Sequence, residues 1–311
     1  MTLPSVSVVV PTYRRRDALA SVVRAIAADP HTSEIVVVVD GSDDGSYELL
    51  KELAETEPRV CPIWQENSGD AAARQTGAEY AGSDVVLFLD DDIAAGPGLA
   101  EGHARAHAHG DRAVVLGYMP AARPVARLPG DFATLLYADE YERMCDRYER
   151  DPSSVLTHLW MGNVSMRRAD ALRVGLVGPR RLGYHADQEF GLRCRRAGLV
   201  GRFDRTLTAT HLHRRDLAAF TRQAWLAGAD RRYLLENYPD LVAADDLFDR
   251  PAAPARLAVG LAAAPLVHRA AVPVLRAAVG AAGRVHGWPV EMALARLLRQ
   301  VELRRGYHGR R

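Results

Sequence analysis

Three consecutive carboxylates, Asp90, Asp91 and Asp92, follow directly on the most apolar stretch of the chain, Val85-Val86-Leu87-Phe88-Leu89. Packed like charges repel, and desolvating them is costly without a counter-charge. A cation therefore belongs at this tip for at least part of the working cycle. In an extended chain, side chains at i and i+2 point the same way. Asp90 and Asp92 are thus expected to share one side, with Asp91 opposite. Such a pair suits a hard divalent cation, which takes one or two carboxylates and completes its shell with phosphate oxygens. The plain structural alternative is an acidic turn in which one Asp caps the next helix.

Two further clusters carry chemistry. "VDGSDDGS" at 39–46 offers Asp40, whose carboxylate can accept from a base N–H or a ribose hydroxyl. "PTYRR" at 11–15 combines a turn, an aromatic ring and arginines, a set suited to a nucleotide's ring and phosphates. His103, His107 and His109 raise a metal question. His103 and His107 share a helix face, but no acidic partner is evident, and a solvated face is the expectation.

These clusters need elements to hold them. "SVSVVV" (5–10) reads as a strand ended by Pro11, and "EIVVVVD" (34–40) as a second. "RVCPIW" (59–64) is a weaker strand, confined by Pro62 to an edge or bulge. "DVVLFL" (84–89) is a strand buried on both faces. Between them lie helices: one capped by Asp17 with Leu19, Val22, Val23 and Ile26 on one face, one capped by Ser46, and one over 70–81. Strand–helix alternation predicts a mostly parallel sheet flanked by helices. In such sheets ligands bind at the carboxyl ends of the strands, where all three polar clusters fall. Farther on, 180–198 reads as a loop entering a helix and 206–216 as a strand leaving toward His211 and His213. From about Arg250 the chain turns rich in Ala and Val. Pro265 and Pro273 are expected to interrupt it, and Pro289 opens a cleaner helix.

Composition sets the class. The chain has 311 residues, 48% hydrophobic and 25% charged, with net charge +1. That is ordinary for a globular protein, and no global field draws it to nucleic acid. Cys61, Cys145 and Cys194 have no metal-type spacing and fit a reducing cytosol. No export signal is evident, and no stretch approaches the roughly 18 uninterrupted apolar residues of a membrane span. A cytoplasmic protein is expected, either free or peripheral on the inner membrane face.

The segments "VSVVVPTYRR", "IVVVVDGSDDGS", "NSGDAAARQTGAEYAGSDVVLFLDDDI", "GNVSMRR" and "ADQEFGLRCRRAG" occur in the order found in inverting glycosyltransferases of family 2. The chain resembles that family over roughly residues 5–215. The resemblance implies a GT-A (Rossmann-like) α/β fold and metal-dependent transfer of a sugar from a nucleotide diphosphate to an acceptor hydroxyl. By position, Pro11, Thr12, Tyr13 and Arg14 match the loop around the base. Asp40 matches the second acid of the family's D-D-G-S turn, whose first is Val39 here. Arg74, Asp90 and Asp91 fall with the nucleotide-binding set, and Asp92 with the metal, joined by His211 or His213, His211 preferred. Asp187 takes the position of the catalytic base, although the acid expected at 186 is Ala186. Trp160, Gly162, Asn163 and Glu189 fall on the acceptor side.

The implied cofactor is Mn²⁺ or Mg²⁺. The implied donor is a UDP-sugar first, with dTDP- or GDP-sugars as alternatives, and the acceptor is a glycan, a lipid-linked or a small molecule. Residues 1–120 are expected to form the nucleotide-sugar half, 121–250 the acceptor half, and 251–311 a helical extension. That extension either packs on the catalytic domain or a second subunit, or lies on an anionic membrane through Arg304, Arg305, Arg310 and Arg311. A nicotinamide-binding domain or a nucleotidyltransferase would need glycines that "PTYRRRD" lacks. Val39 and Ala186 keep open an inactive sugar-nucleotide sensor of the same fold.

Overall fold

The computed structural model describes residues 2–110, 112–212, 215–242 and 253–309. His213, the boundary at 250–251, Arg310 and Arg311 lie outside the described residues. The first ninety residues alternate as expected: β1 (Val6–Thr12), α1 (Arg16–Ala27), β2 (Thr32–Asp40), α2 (Ser46–Thr56), β3 (Val60–Gln65), α3 (Asp70–Tyr80) and β4 (Val85–Leu89). A short β5 (Ile93–Ala95) and α4 (Leu99–Ala106) follow, then β6 (Ala113–Tyr118), α5 (Phe132–Arg150) and α6 (Ser154–Thr157). Next come β7 (Asn163–Arg167), α7 (Arg168–Val174), α8 (Ala186–Arg196) and β8 (Val200–His211). The chain ends in helices α9 (Leu217–Asn237), α10 (Ala253–Ala262), α11 (Pro265–Arg284) and α12 (Trp288–His308).

Among the described residues the strands lie in the order β3-β2-β1-β4-β7-β6-β8-β5. β3, β2, β1 and β4 are mutually parallel. β7 runs antiparallel to β4 and β6, and β6 runs parallel to β8. The sense of each strand fixes what meets at one rim of the sheet. The carboxyl ends of β1, β2, β4 and β8 share that rim with the amino end of β7. β3 is the edge strand, as Pro62 demands. β1 runs on through Pro11 to Thr12, two residues past the expected stop. Its pairing with β4 ends at Val9–Phe88, so Pro11 lies beyond the doubly paired stretch.

The chain divides into two compact units. The first comprises residues 1–122, 142–181 and 186–212 and holds the sheet. Its core joins one face of the central strands, including Val9, Val38, Phe88 and Val164, to Leu156 and Phe190. The second comprises 123–141, 182–185 and 213–311. In it α9 and α12 approach so closely that a Cβ on Gly228 would lie 1.9 Å from the carbonyl oxygen of Leu303, and one on Gly306 1.9 Å from that of Trp225. α11 continues through Pro273, contrary to the expected break, and Pro265 is its first residue. No helix among the described residues is long and apolar enough to cross a membrane.

Three local expectations change. Asp17 does not cap α1; Asp44 accepts from the Arg16 N–H at 3.2 Å. Gly45, in the left-handed region, precedes α2 in place of Ser46, and Asp44 also accepts from the Ser46 N–H and hydroxyl. His103 and His107 do not face solvent: both are fully buried. His103 bonds Ser165 Oγ at 2.7 Å and Asn163 Oδ1 at 2.9 Å, and His107 Nε2 lies 2.9 Å from Ser165 Oγ. Burial drives both imidazoles down to about 4, so they are held neutral. Leu99, Ala100 and Ala104 make this the inner face of α4.

Candidate active site

The rim defined by the strand directions gathers most of the residues singled out above. β4 ends at Leu89 and the chain turns at once, the Ile93 N–H closing back on the Asp90 carbonyl at 3.2 Å. A turn, not an extended tip, therefore carries the three acids, and they fan out instead of pairing at i and i+2. Asp90 takes a hydrogen bond from Arg74 Nη2. Asp91 accepts from Thr12 Oγ1 at 2.8 Å. Asp92 lies 3.0 Å from Arg15 Nη2 and 3.2 Å from His211 Nε2. His211 is the last residue of β8 and pairs with Ile93, so strand register itself brings it beside the turn. Burial pushes Asp91 up to about 6, against the pull of Thr12 and Arg15.

Arg74 is buried on α3 and bridges Asp70 and Asp90. Its Nε has no hydrogen-bond partner. Asp187, in the first turn of α8, accepts from the Met161 N–H at 3.0 Å. Part of the residue's surface is open, yet its carboxyl group sits deep enough for burial to raise its pKa. The Arg74 cation opposes that rise and the Asp90 charge adds to it. Gly162 separates these groups from Met119: a Cβ there would meet Met119 Sδ at 2.6 Å and Asp90 Oδ2 at 2.7 Å. Only glycine fits that contact. Trp160, half-buried, precedes this turn.

Other expected site residues are placed differently. Asp40 is buried, and its carboxylate accepts from Gln65 Nε2, the Ser68 N–H and the Gly69 N–H, each at 2.8 Å. Asn163 is fully buried, bonded to His103 and to the Leu207 carbonyl. Glu189 is buried and accepts from Arg193 Nε at 3.0 Å through both oxygens, while the same guanidinium donates to the carbonyls of residues 174–176. Pro11 is buried in β1, whereas Tyr13 is exposed with Arg14 stacked on its ring at 5.2 Å. Arg14 has a φ of 55°, and its N–H donates to Ser42 Oγ, tying the β1 and β2 turns together.

Sequence reasoning reached Arg15, which meets Asp91 and Asp92, only as part of the PTYRR cluster, and did not single out Arg181, whose guanidinium packs against Gly69 at the start of α3. The run Arg14–Arg16 was the available signal for the first. Arg181 carried no comparable pattern beyond its neighbour Arg180.

Asp92 and His211 fit a hard divalent cation: one carboxylate and one imidazole, with the rest of its shell left to water and phosphate. Among the described residues no group of three His, Cys, Asp or Glu side chains gathers to hold a metal alone.

Residues 7–169 match Glycosyl transferase family 2. The chain belongs to that family. Among curated relatives, Glycosyltransferase GlyA of Streptococcus pneumoniae is 40% identical over 88 residues, 28% of this chain and 13% of that protein. An undecaprenyl-phosphate 4-deoxy-4-formamido-L-arabinose transferase of Pseudomonas savastanoi is 40% identical over 94 residues, 28% of each chain. TuaG of Bacillus subtilis, a putative teichuronic acid biosynthesis glycosyltransferase, is 35% identical over 91 residues, 29% of this chain and 36% of its own. The matched segment thus spans well under half of each of these relatives. The fold is that of the mannosyltransferase PcManGT from Pyrobaculum calidifontis, solved with GDP-Man and Mn²⁺. The TM-score is 0.61 at 16% identity, covering 98% of this chain and 88% of that one. The likeness establishes a GT-A-type α/β fold.

Proposed function

We propose that this family 2 chain transfers a glycosyl group from a nucleotide diphosphate sugar to an acceptor hydroxyl, with inversion. The observation that carries the reading is Asp187, a carboxylate held by the Met161 N–H in the field of Arg74 and Asp90. A base must be ionised yet avid for a proton. Burial moves Asp187 toward neutrality while Arg74 keeps it from going too far. Asp187 takes the acceptor's hydroxyl proton as that oxygen bonds to the anomeric carbon. The bond from that carbon to the phosphate oxygen breaks, and the nucleoside diphosphate leaves with the electron pair.

Asp92 and His211 would hold the divalent cation, which when bound offsets charge building on the leaving diphosphate. Arg74, Arg15 and Arg181 are cations within reach of the same rim and suit phosphate oxygens. Thr12 and Tyr13 line the way to the base, and Asp40 shapes that side by fixing the turn between β3 and α3. The bound GDP-Man of PcManGT favours testing GDP-sugars alongside UDP- and dTDP-sugars. The Pseudomonas relative's name favours including a polyprenyl phosphate among acceptors, beside glycans and small molecules.

The test is a nucleotide-sugar panel with Mn²⁺, read by thermal shift and by donor turnover on the wild type and on Asp187→Asn. The variant is expected to bind donor normally and to turn over about 10²–10⁴-fold more slowly. Near-normal turnover would remove Asp187 from the role. Donor binding without turnover in the wild type, across all acceptors, would favour a sensor.

A further inference from the structure

The helical unit carries an outward face that nothing in glycosyl transfer uses. At about 100° per residue along α11, Val267, Ala270, Val274, Ala277 and Ala281 fall within an arc of about 80°. All five are exposed, Val267 at 47% and Val274 at 67%. The opposite side of the helix, Val272 and Val279, is buried. Arg269, Arg276 and Arg284, also exposed, flank one side of this apolar stripe. α10 also turns apolar residues outward. Val259 and Ala263 pack inward with Leu298 and Val301 of α12, while Leu257 and Leu261 stand out at 68% and 60% exposure. Residues 251–290 contain no Asp or Glu, in a chain whose acids and bases otherwise nearly cancel.

We propose that this face of α10 and α11 docks on the surface of an anionic lipid bilayer, with the helices lying in the interface plane. An apolar stripe beside a cationic edge matches acyl chains beside phosphate headgroups. A second copy of the chain would set an acid-free cationic face against its twin, with no counter-charge. A nucleic acid would meet the arginines but leave the valines and leucines against charged backbone. The stripe is Val and Ala with no aromatic, so its apolar contribution is modest and headgroup charge supplies much of the binding. The helices do not span the bilayer. The inference does not depend on the assignment of Asp187 or the cation site.

The test is co-sedimentation of the full chain with phosphatidylglycerol–phosphatidylcholine vesicles and with phosphatidylcholine alone, at low and high salt. Binding is expected on the anionic vesicles only and should weaken with salt. Replacing Arg269, Arg276 and Arg284 together by Gln is expected to cut partitioning roughly 100-fold, at about fivefold per arginine. Val267→Asp with Val274→Asp is expected to lose it to a similar degree, since it sets like charge against the headgroups. All substituted residues are exposed, and melting curves check folding. If a variant misfolds, the wild type's lipid and salt dependence still decides. Equal binding to neutral vesicles, no binding at all, or folded variants that bind as the wild type does would each overturn the proposal. So would a solution dimer that the valine variant converts to monomer, since that face would then be covered by a second copy.

Discussion

Two acid-rich turns stand at the same rim of the sheet, after β2 and after β4, and they are built on different principles. After β2, mostly fixed donors meet Asp40 and Asp44, while the exposed Asp43 faces Arg14 Nη2 at 3.7 Å. Asp40 takes two backbone N–H groups and an amide, and Asp44 takes two backbone N–H groups and a hydroxyl. After β4, side chains from other elements meet the acids: Arg74 on Asp90, Thr12 on Asp91, Arg15 and His211 on Asp92. The first turn is a structural joint. We propose that the second holds charge with partners that a ligand can replace. Charge density alone does not distinguish the two turns; the kind of counter-group does.

The largest expected contrast is between Asp92→Ala and Asp40→Ala. Losing Asp92 should lower turnover about 10³-fold, the scale of several kcal/mol of charge stabilisation, while leaving the urea midpoint nearly unchanged. Asp40→Ala removes a buried acceptor from three donors and should cost about 3 kcal/mol of stability. Paired kinetics and urea titrations on both variants measure this. If Asp92→Ala destabilised the fold as much as Asp40→Ala, the distinction between joint and site would fail.

A smaller contrast lies in the pH dependence of the metal-free chain. Asp91 has its folded pKa raised from 3.8 to about 6, so between those values the native state holds a proton that the unfolded chain has released. Its contribution is therefore present below the unfolded pKa and lost as pH rises through the folded one, up to about 2–3 kcal/mol in all. Burial pulls the Asp44 pKa up, but the Ser46 and Arg16 bonds together outweigh it and leave the pKa lowered. Its contribution has the opposite sign: present above the unfolded value and lost as pH falls through the folded one. Urea midpoints from pH 4 to 7 should show wild type losing ground to Asp91→Asn as pH rises. A flat difference between the two would show that Asp91 is not held above its ordinary range.

The sequence carried the fold well because its signals were local. β-branched runs made strands, Leu19, Val22, Val23 and Ile26 made a buried helix face, and Pro62 forced β3 to the edge. The proximity of Asp90, Asp92, Asp187, Gly162 and His211 followed from motif order and strand direction. Side-chain fates were less legible because they depend on partners distant in sequence. His103 and His107 resemble a solvated helix face until Ser165 and Asn163, on β7, bury with them. Asp40 and Glu189 look like open ligands until the β3–α3 turn and Arg193 close on them. The fan of Asp90–Asp92 rests on backbone bonds, within the turn and to Gly162 and Leu212, that no periodicity reveals.

The smallest effect belongs to Arg15, and it bears most directly on the idea of replaceable partners. Its guanidinium lies 3.6 Å from Asp91 and 3.0 Å from Asp92, with 48% of the side chain exposed. A pair so open to water contributes no more than about 0.5 kcal/mol, so Arg15→Ala should barely move the urea midpoint. The same exposure makes the guanidinium a weak occupant of ground that a divalent cation would contest. Removing it should therefore raise the affinity of the donor-free chain for Mn²⁺ by a factor of about two to five, read by electron paramagnetic resonance titration. In the presence of Mn²⁺ the variant should bind nucleoside diphosphate more weakly, since one phosphate partner is gone. Weaker Mn²⁺ binding in Arg15→Ala would mean that the arginine organises the acidic turn instead of competing for it, and the β4 turn would then be a joint of the same kind as the one after β2.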